Sequence, residues 1–151
     1  MKRNVLSKIV IMIAITLIAG TLLSGCGAKS LSESDVSYAG PILDNVLTGI
    51  RDNHYNEFSR DFSDKMKTTL TQENFEILVT TLNSKIGDYE NKSFSGATNT
   101  IKDNNTYTVV IYKAKYSKET NDVQITITLS DNNGRKIVEG LLFNSPNLKK
   151  Q

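Results

Sequence analysis

Tryptophan is absent from this 151-residue chain, and cysteine and histidine each occur once. A single thiol excludes an intramolecular disulfide, a cysteine-based zinc knot and an iron–sulfur centre, each of which takes several thiolates. A single imidazole likewise excludes most histidine metal cages, so neither a metal nor a cofactor is expected. Two hydrophobic cores do not fit in this length, which suits one domain. Also missing is a basic stripe in the body of the chain. Without clustered Lys and Arg to displace counterions, nucleic acid is not an expected partner.

What is present is concentrated at the start. The first 25 residues hold Lys2, Arg3 and Lys8, no acidic residue, and a nearly unbroken apolar run from Ile9 to Leu23. A cationic start followed by an apolar middle is the pattern of a secretory signal peptide, here residues 1–25. The run is shorter than the roughly 20 apolar residues of a membrane span and ends in small residues rather than a charge cluster. The whole chain carries net charge +2; without residues 1–25, fifteen Lys and Arg face sixteen Asp and Glu, a net −1. The basic character therefore belongs to the signal.

The run ends in Leu23-Ser24-Gly25-Cys26, which resembles the lipobox of bacterial lipoproteins. That resemblance implies a diacylglyceryl group on the Cys26 thiol, cleavage just before it, and Cys26 as the new N-terminus. Two acyl chains anchor a soluble domain stably where one binds marginally. The expected location is the extracytoplasmic face of the cell membrane, with the membrane itself a partner through lipidated Cys26. Residues 27–35 are small and polar, so 26–35 reads as a flexible tether that keeps the domain close to the bilayer.

Residues 36–144 divide into a helical half and a strand half. Ala39, Ile42, Val46, Leu47 and Ile50 recur at the spacing of one helix face, with Pro41 fit only for a first turn or a kink. A short helix is expected around Tyr55 to Phe62, and Ser63 or Asp64 starts another brief turn. Thr71 reads as the N-cap of a firmer helix carrying Phe75, Leu78, Val79, Leu82 and Ile86, closed by Gly87. Beyond Gly87 the period becomes 2. Val123, Ile125, Ile127 and Leu129 alternate with Gln124, Thr126 and Thr128, and further strands are expected at Asn91–Ile101, Thr106–Tyr116 and Arg135–Asn144. The breaks are rich in Asn and Gly, as hairpins require, and residues 145–151 read as a C-terminal tail. The expected fold class is α+β: N-terminal helices packed on one face of a curved four-stranded antiparallel meander.

Four stretches carry a further resemblance: Asn53-His54-Tyr55-Asn56-Glu57-Phe58, Phe62-Ser63-Asp64-Lys65-Met66-Lys67, Ile86-Gly87-Asp88-Tyr89 and the strand ending in Gly140-Leu141. Together they resemble the bacterial family of domain of unknown function 3887, over about Val36 to Phe143. The resemblance implies a cone-shaped, nuclear-transport-factor-2-like (cystatin-like) fold and brings no reaction with it.

Cone-shaped relatives use the space between sheet and helices as a pocket, and some are isomerases or dehydratases with an acid or base inside. Such chemistry needs a carboxylate or imidazole tuned by burial, with a donor for the developing oxyanion. His54 is a candidate base in a polar stretch between helices. Glu139 faces either inward as a buried carboxylate or outward to solvent. Asp61 and Asp64, three apart, form either an acid pair or a solvated helix end. Asp131-Asn132-Asn133-Gly134 lacks the alternating ligands of a calcium loop and reads as a turn. Tyr112 and Tyr116 share a strand face as packing residues or as a stacking surface, and with Glu139 they make the candidate ligand-binding set. On the last strand, Ile137, Leu141 and Phe143 oppose Val138 and Leu142, a two-sided apolar pattern that favours a covered or self-associating sheet. The expected function is a non-catalytic domain that binds a small apolar ligand, a peptide or a cell-envelope protein. The alternatives are a small isomerase- or dehydratase-like enzyme and an accessory subunit docked through its sheet.

Overall fold

The computed structural model describes residues 30–150. Cys26 and the signal-like stretch lie outside the described residues. In chain order the elements are β1 (Ser30–Leu31), a single 3-10 turn (Ser34–Val36), α1 (Ala39–Arg51), α2 (Tyr55–Phe58), α3 (Asp64–Thr69), α4 (Gln72–Lys85), β2 (Tyr89–Lys102), β3 (Asn105–Tyr116), β4 (Val123–Asn132), β5 (Arg135–Asn144) and α5 (Pro146–Lys149). The strands form one open antiparallel sheet in the order β1-β2-β3-β4-β5. The α+β class is as the sequence predicts.

The helices begin and end where side chains supply the missing backbone partners. Ser63 accepts a hydrogen bond from the Met66 N–H to start α3, and Thr71 accepts one from Asn74 N–H to start α4. The exit from α4 is stitched to the β3–β4 connection: Lys118 N–H donates to Ile86 O (2.9 Å) and Ser117 N–H to Asp88 O (2.9 Å). Between them Gly87 sits at φ +82°, where a Cβ would press on Lys118 N at 3.0 Å. Glycine is required there on both counts. The β2–β3 and β4–β5 turns are two-residue loops with positive φ at both central positions, Asp103 and Asn104 in one and Asn133 and Gly134 in the other. That is the primed turn geometry whose twist matches an antiparallel pair.

Buried side chains of α1 (Leu43, Val46, Leu47, Ile50), α2 (Phe58) and α4 (Phe75, Val79, Leu82) form one cluster with Val110 of β3, Ile125, Ile127 and Leu129 of β4, and Val138 of β5. Phe58 is its hinge, with ring centroids 4.6 Å from Phe75 and 4.8 Å from Phe62. α1 and α2 approach so closely that a Cβ on Gly49 would lie 2.6 Å from Phe58 Cα.

Three expectations are corrected. The sheet has five strands rather than four, because Ser30 and Leu31, within the stretch read as a tether, pair with Thr98 and Ala97. A two-residue strand carries no periodic signal and forms only by long-range pairing. The short second helix ends at Phe58, and the chain then crosses to β5, where Ser63 N–H donates to Val138 O (3.0 Å) and Val138 N–H to Asp61 O (2.7 Å). Finally, β5 does not keep strict alternation. A bulge at Glu139 sets Val138 opposite Leu129 and Leu141 opposite Ile127, so both belong to the core face, while Ile137 and Leu142 pair with Ser130 and Thr126. One extra residue in the bulged strand reverses the phase beyond it. The stretch 145–150 holds α5, with Ser145 as its N-cap, Pro146 in the first turn and Glu119 accepting the Asn147 N–H at 3.0 Å.

Candidate functional site

The face of the sheet opposite the core carries Thr126, Thr128 and Ser130 of β4, half-buried, with Ile137 and Leu142 of β5 beside them. At the end of the sheet where the β2–β3 and β4–β5 turns lie, this face meets the start of α3 in a groove of about 680 Å³. Phe62, Ser63, Asp64 and Lys67 form one wall; Asn105 to Tyr107, Ser130 to Asn132, Arg135, Ile137 and Glu139 form the rest. The crossing at Phe62–Ser63 that docks on the β5 edge is what brings these sequence-distant walls together.

The groove and its rim carry both signs of charge. Glu139 accepts a hydrogen bond from Ser130 Oγ at 2.9 Å, placed there by the bulge. Asp61, next to the groove wall, accepts from Asn45 Nδ2 (3.0 Å) and lies 3.6 Å from Arg60 Nε and 3.7 Å from Arg135 Nη2. Asp131 accepts from Gly134 N–H (2.7 Å) and pairs with Lys136 Nζ (2.6 Å). The Lys136 hydrogen bond, then the Gly134 N–H, holds the Asp131 carboxyl below the ordinary carboxylate value. Lys136 in turn stands 4.8 Å above the Tyr38 ring, a cation–π contact at the neighbouring rim.

The residues singled out from the sequence do not assemble into one site. Tyr112 and Tyr116 do share a face of β3, but it is the core face, where they are 3% and 4% exposed. Tyr112 packs edge-on against Phe94 at 6.1 Å with Lys92 Nζ 5.7 Å from its ring centre. Burial, then the charges of Glu33 and Asp44, pushes its phenol up to about 12. Tyr116 packs edge-on against Tyr89 at 5.8 Å. Its hydroxyl is buried with no hydrogen-bond partner among the described residues, and burial raises its pKa further still. Glu139 alone of the three lines the groove. His54 is exposed and borders a separate, smaller hollow of about 240 Å³ with Tyr55, Gln72 and Glu76. Asp61 and Asp64 do not form an acid pair, since Asp61 is bound to Asn45 and flanked by two arginines. Among the described residues no group of three or more His, Cys, Asp or Glu could hold a metal ion, and no helix is long and apolar enough to cross a membrane.

Sequence inspection missed Arg135, Lys67 and Asn105 as groove residues. Each is an ordinary polar residue beside a turn or helix end, and only the crossing of Phe62 onto β5 makes them neighbours. Tyr107 was visible on its strand, but its side of the sheet follows from the register, in which it faces Thr100 and Ser130.

Fold and groove together describe an α+β domain with a sealed interior and a polar groove on the outer side of an antiparallel meander. The chain belongs to the family described as Protein of unknown function (DUF3887), whose sequence model matches residues 44–139. No curated protein matches it. The matched span runs from α1 to the bulge at Glu139, and so holds most of the core and every residue that lines the groove.

Proposed function

We propose that this is a cell-envelope lipoprotein, anchored outside the cytoplasm through Cys26, whose domain is a non-catalytic binding module of nuclear-transport-factor-2-like shape. The observation that carries the reading is the groove beside Glu139: it is open, polar and doubly signed, and several of its charges are already held by neighbours. Charged groups fixed by their neighbours in this way present hydrogen-bond donors and acceptors in set positions, which suits recognition. An extended peptide segment, with alternating N–H and C=O groups and side chains of either charge, matches that lining better than a small apolar molecule. His54 is exposed and borders a different hollow, so an acid–base pair of His54 with Glu139 has no support.

The test is native mass spectrometry of the full chain extracted from membranes in mild detergent. A co-purifying peptide or protein that is lost in Arg135→Ala, with the melting temperature unchanged, is the expected result. Co-purification that survives both Arg135→Ala and Glu139→Gln contradicts the groove as the site. For the anchor, Cys26→Ser should release a folded protein from the membrane fraction.

A further inference from the structure

We infer that the end of the sheet carrying the β2–β3 turn is the bilayer-facing end of the molecule, with Ile101 seated among the lipid headgroups. The inference rests on the proposed acylation of Cys26 and adds an orientation to it. Strand β1 runs antiparallel to β2, with Ser30 opposite Thr98 and Leu31 opposite Ala97. Following β1 backwards toward the N-terminus therefore means travelling along β2 toward Lys102 and its turn. Cys26 precedes Ser30 by four residues, a reach of at most about 14 Å for extended chain. Thr98 precedes Lys102 by the same four residues, about 13 Å of strand. By length alone an acylated Cys26 stays within about 14 Å of Ser30, and Ser30, opposite Thr98, stands about 13 Å from the turn, so the leash keeps this end of the sheet near the membrane.

The surface at that end suits the contact. Ile101 is 75% exposed, more than any other large hydrophobic side chain described, and Lys102 follows it, also exposed. An apolar side chain beside a lysine is the combination that settles at an interface, the one in the acyl boundary and the other among phosphates. The β4–β5 turn lies at the same end, because Tyr107 pairs with Ser130. Asn105, Thr106, Asp131 and Asn132 from the two turns line the groove, so the groove opens close to the headgroup layer. The β3–β4 connection is at the opposite end, beyond Tyr116 and Val123.

The experiment uses the full lipidated chain in vesicles of phosphatidylcholine and phosphatidylglycerol, carrying Ile101→Cys or Asn121→Cys labelled with a thiol-reactive fluorophore. Acylated Cys26 presents no competing thiol. Quenching by nitroxide-bearing lipids is expected to be several-fold stronger at position 101 than at position 121. Equal or reversed quenching in protein that floats with the vesicles overturns the orientation and leaves the anchor standing. Protein that does not float, or unsubstituted chain that takes up the label at Cys26, overturns the anchor and the orientation with it. Circular dichroism matching the unsubstituted chain establishes that both variants are folded.

Discussion

The two faces of the sheet are built from the same strands and do opposite jobs. Along β4, Val123, Ile125, Ile127 and Leu129 are sealed against the helices at 0–2% exposure, while Thr126 and Thr128 between them and Ser130 just beyond stay within reach of solvent. The inner face has no room to give: Phe58, Phe75, Leu43 and Leu82 fill it. Space for a partner exists on the outer side, where polar side chains and a bulge leave a groove. The inner face therefore holds the fold together while the outer face carries the groove proposed above for recognition, and a substitution should reveal which face it touches.

Two glycines give the widest contrast. Gly49 lies where α1 meets α2, and a Cβ there collides with the Phe58 backbone. Backbone cannot step aside as a flexible side chain does, so Gly49→Ala should lower the unfolding free energy by about 3 kcal/mol, the upper part of the range for overpacking. Gly96 stands opposite Ile111 on the outer face, with nothing within 4 Å of an added Cβ. Gly96→Ala should leave stability unchanged or raise it by up to about 1 kcal/mol, because alanine loses less conformational freedom in a strand. Urea denaturation of both variants checks the pair; equal losses would contradict the division of labour.

A smaller effect concerns the end of the sheet away from the groove, where Glu119 ties α5 to the β3–β4 connection. The Asn147 N–H, assisted by the Ser145 hydroxyl and the N–H groups of Asn121 and Thr120, holds this carboxyl below its ordinary value of 4.5. A depressed carboxylate contributes stability that is full above the ordinary value and fades as pH falls through the lowered one. Glu119→Gln should flatten the acid limb of a melting-temperature profile while leaving its shape near neutrality. An unchanged acid limb would mean that the contact contributes nothing measurable.

The smallest effect tests the one flaw of the inner face. The Tyr116 hydroxyl is buried without a partner among the described residues, so removing it strands nothing. Tyr116→Phe should be neutral or stabilising by up to about 1 kcal/mol. Because burial raises this phenol above 10, the folded state favours its neutral form; that preference is full below about pH 10 and is lost as pH rises through the folded value. The Phe variant should accordingly lose less stability than the natural chain on going to alkaline pH.

Much of the inner face was legible in the sequence, since alternation along Val123–Leu129 and the Thr71-to-Gly87 helix each report burial through their own period. The Asn-rich turns were legible for a similar reason: positive φ selects few residue types. The outer face was not. Its groove joins Phe62–Lys67, Asn105–Tyr107 and Ser130–Glu139, and no local pattern records that three separate stretches meet. The bulge at Glu139 defeated strict alternation on β5, and β1 is too short to have a period at all. Tyr112 and Tyr116 were read onto one face correctly, yet alternation alone does not say which face the helices cover.

The most direct test of recognition through the outer face is photo-crosslinking in intact cells, with a benzophenone side chain at position 107 in the groove or at position 54 in the smaller hollow. Adducts to a partner at 107, absent at 54 and abolished by Arg135→Ala, are the predicted result. Adducts formed equally at both positions, or at 54 alone, would contradict it.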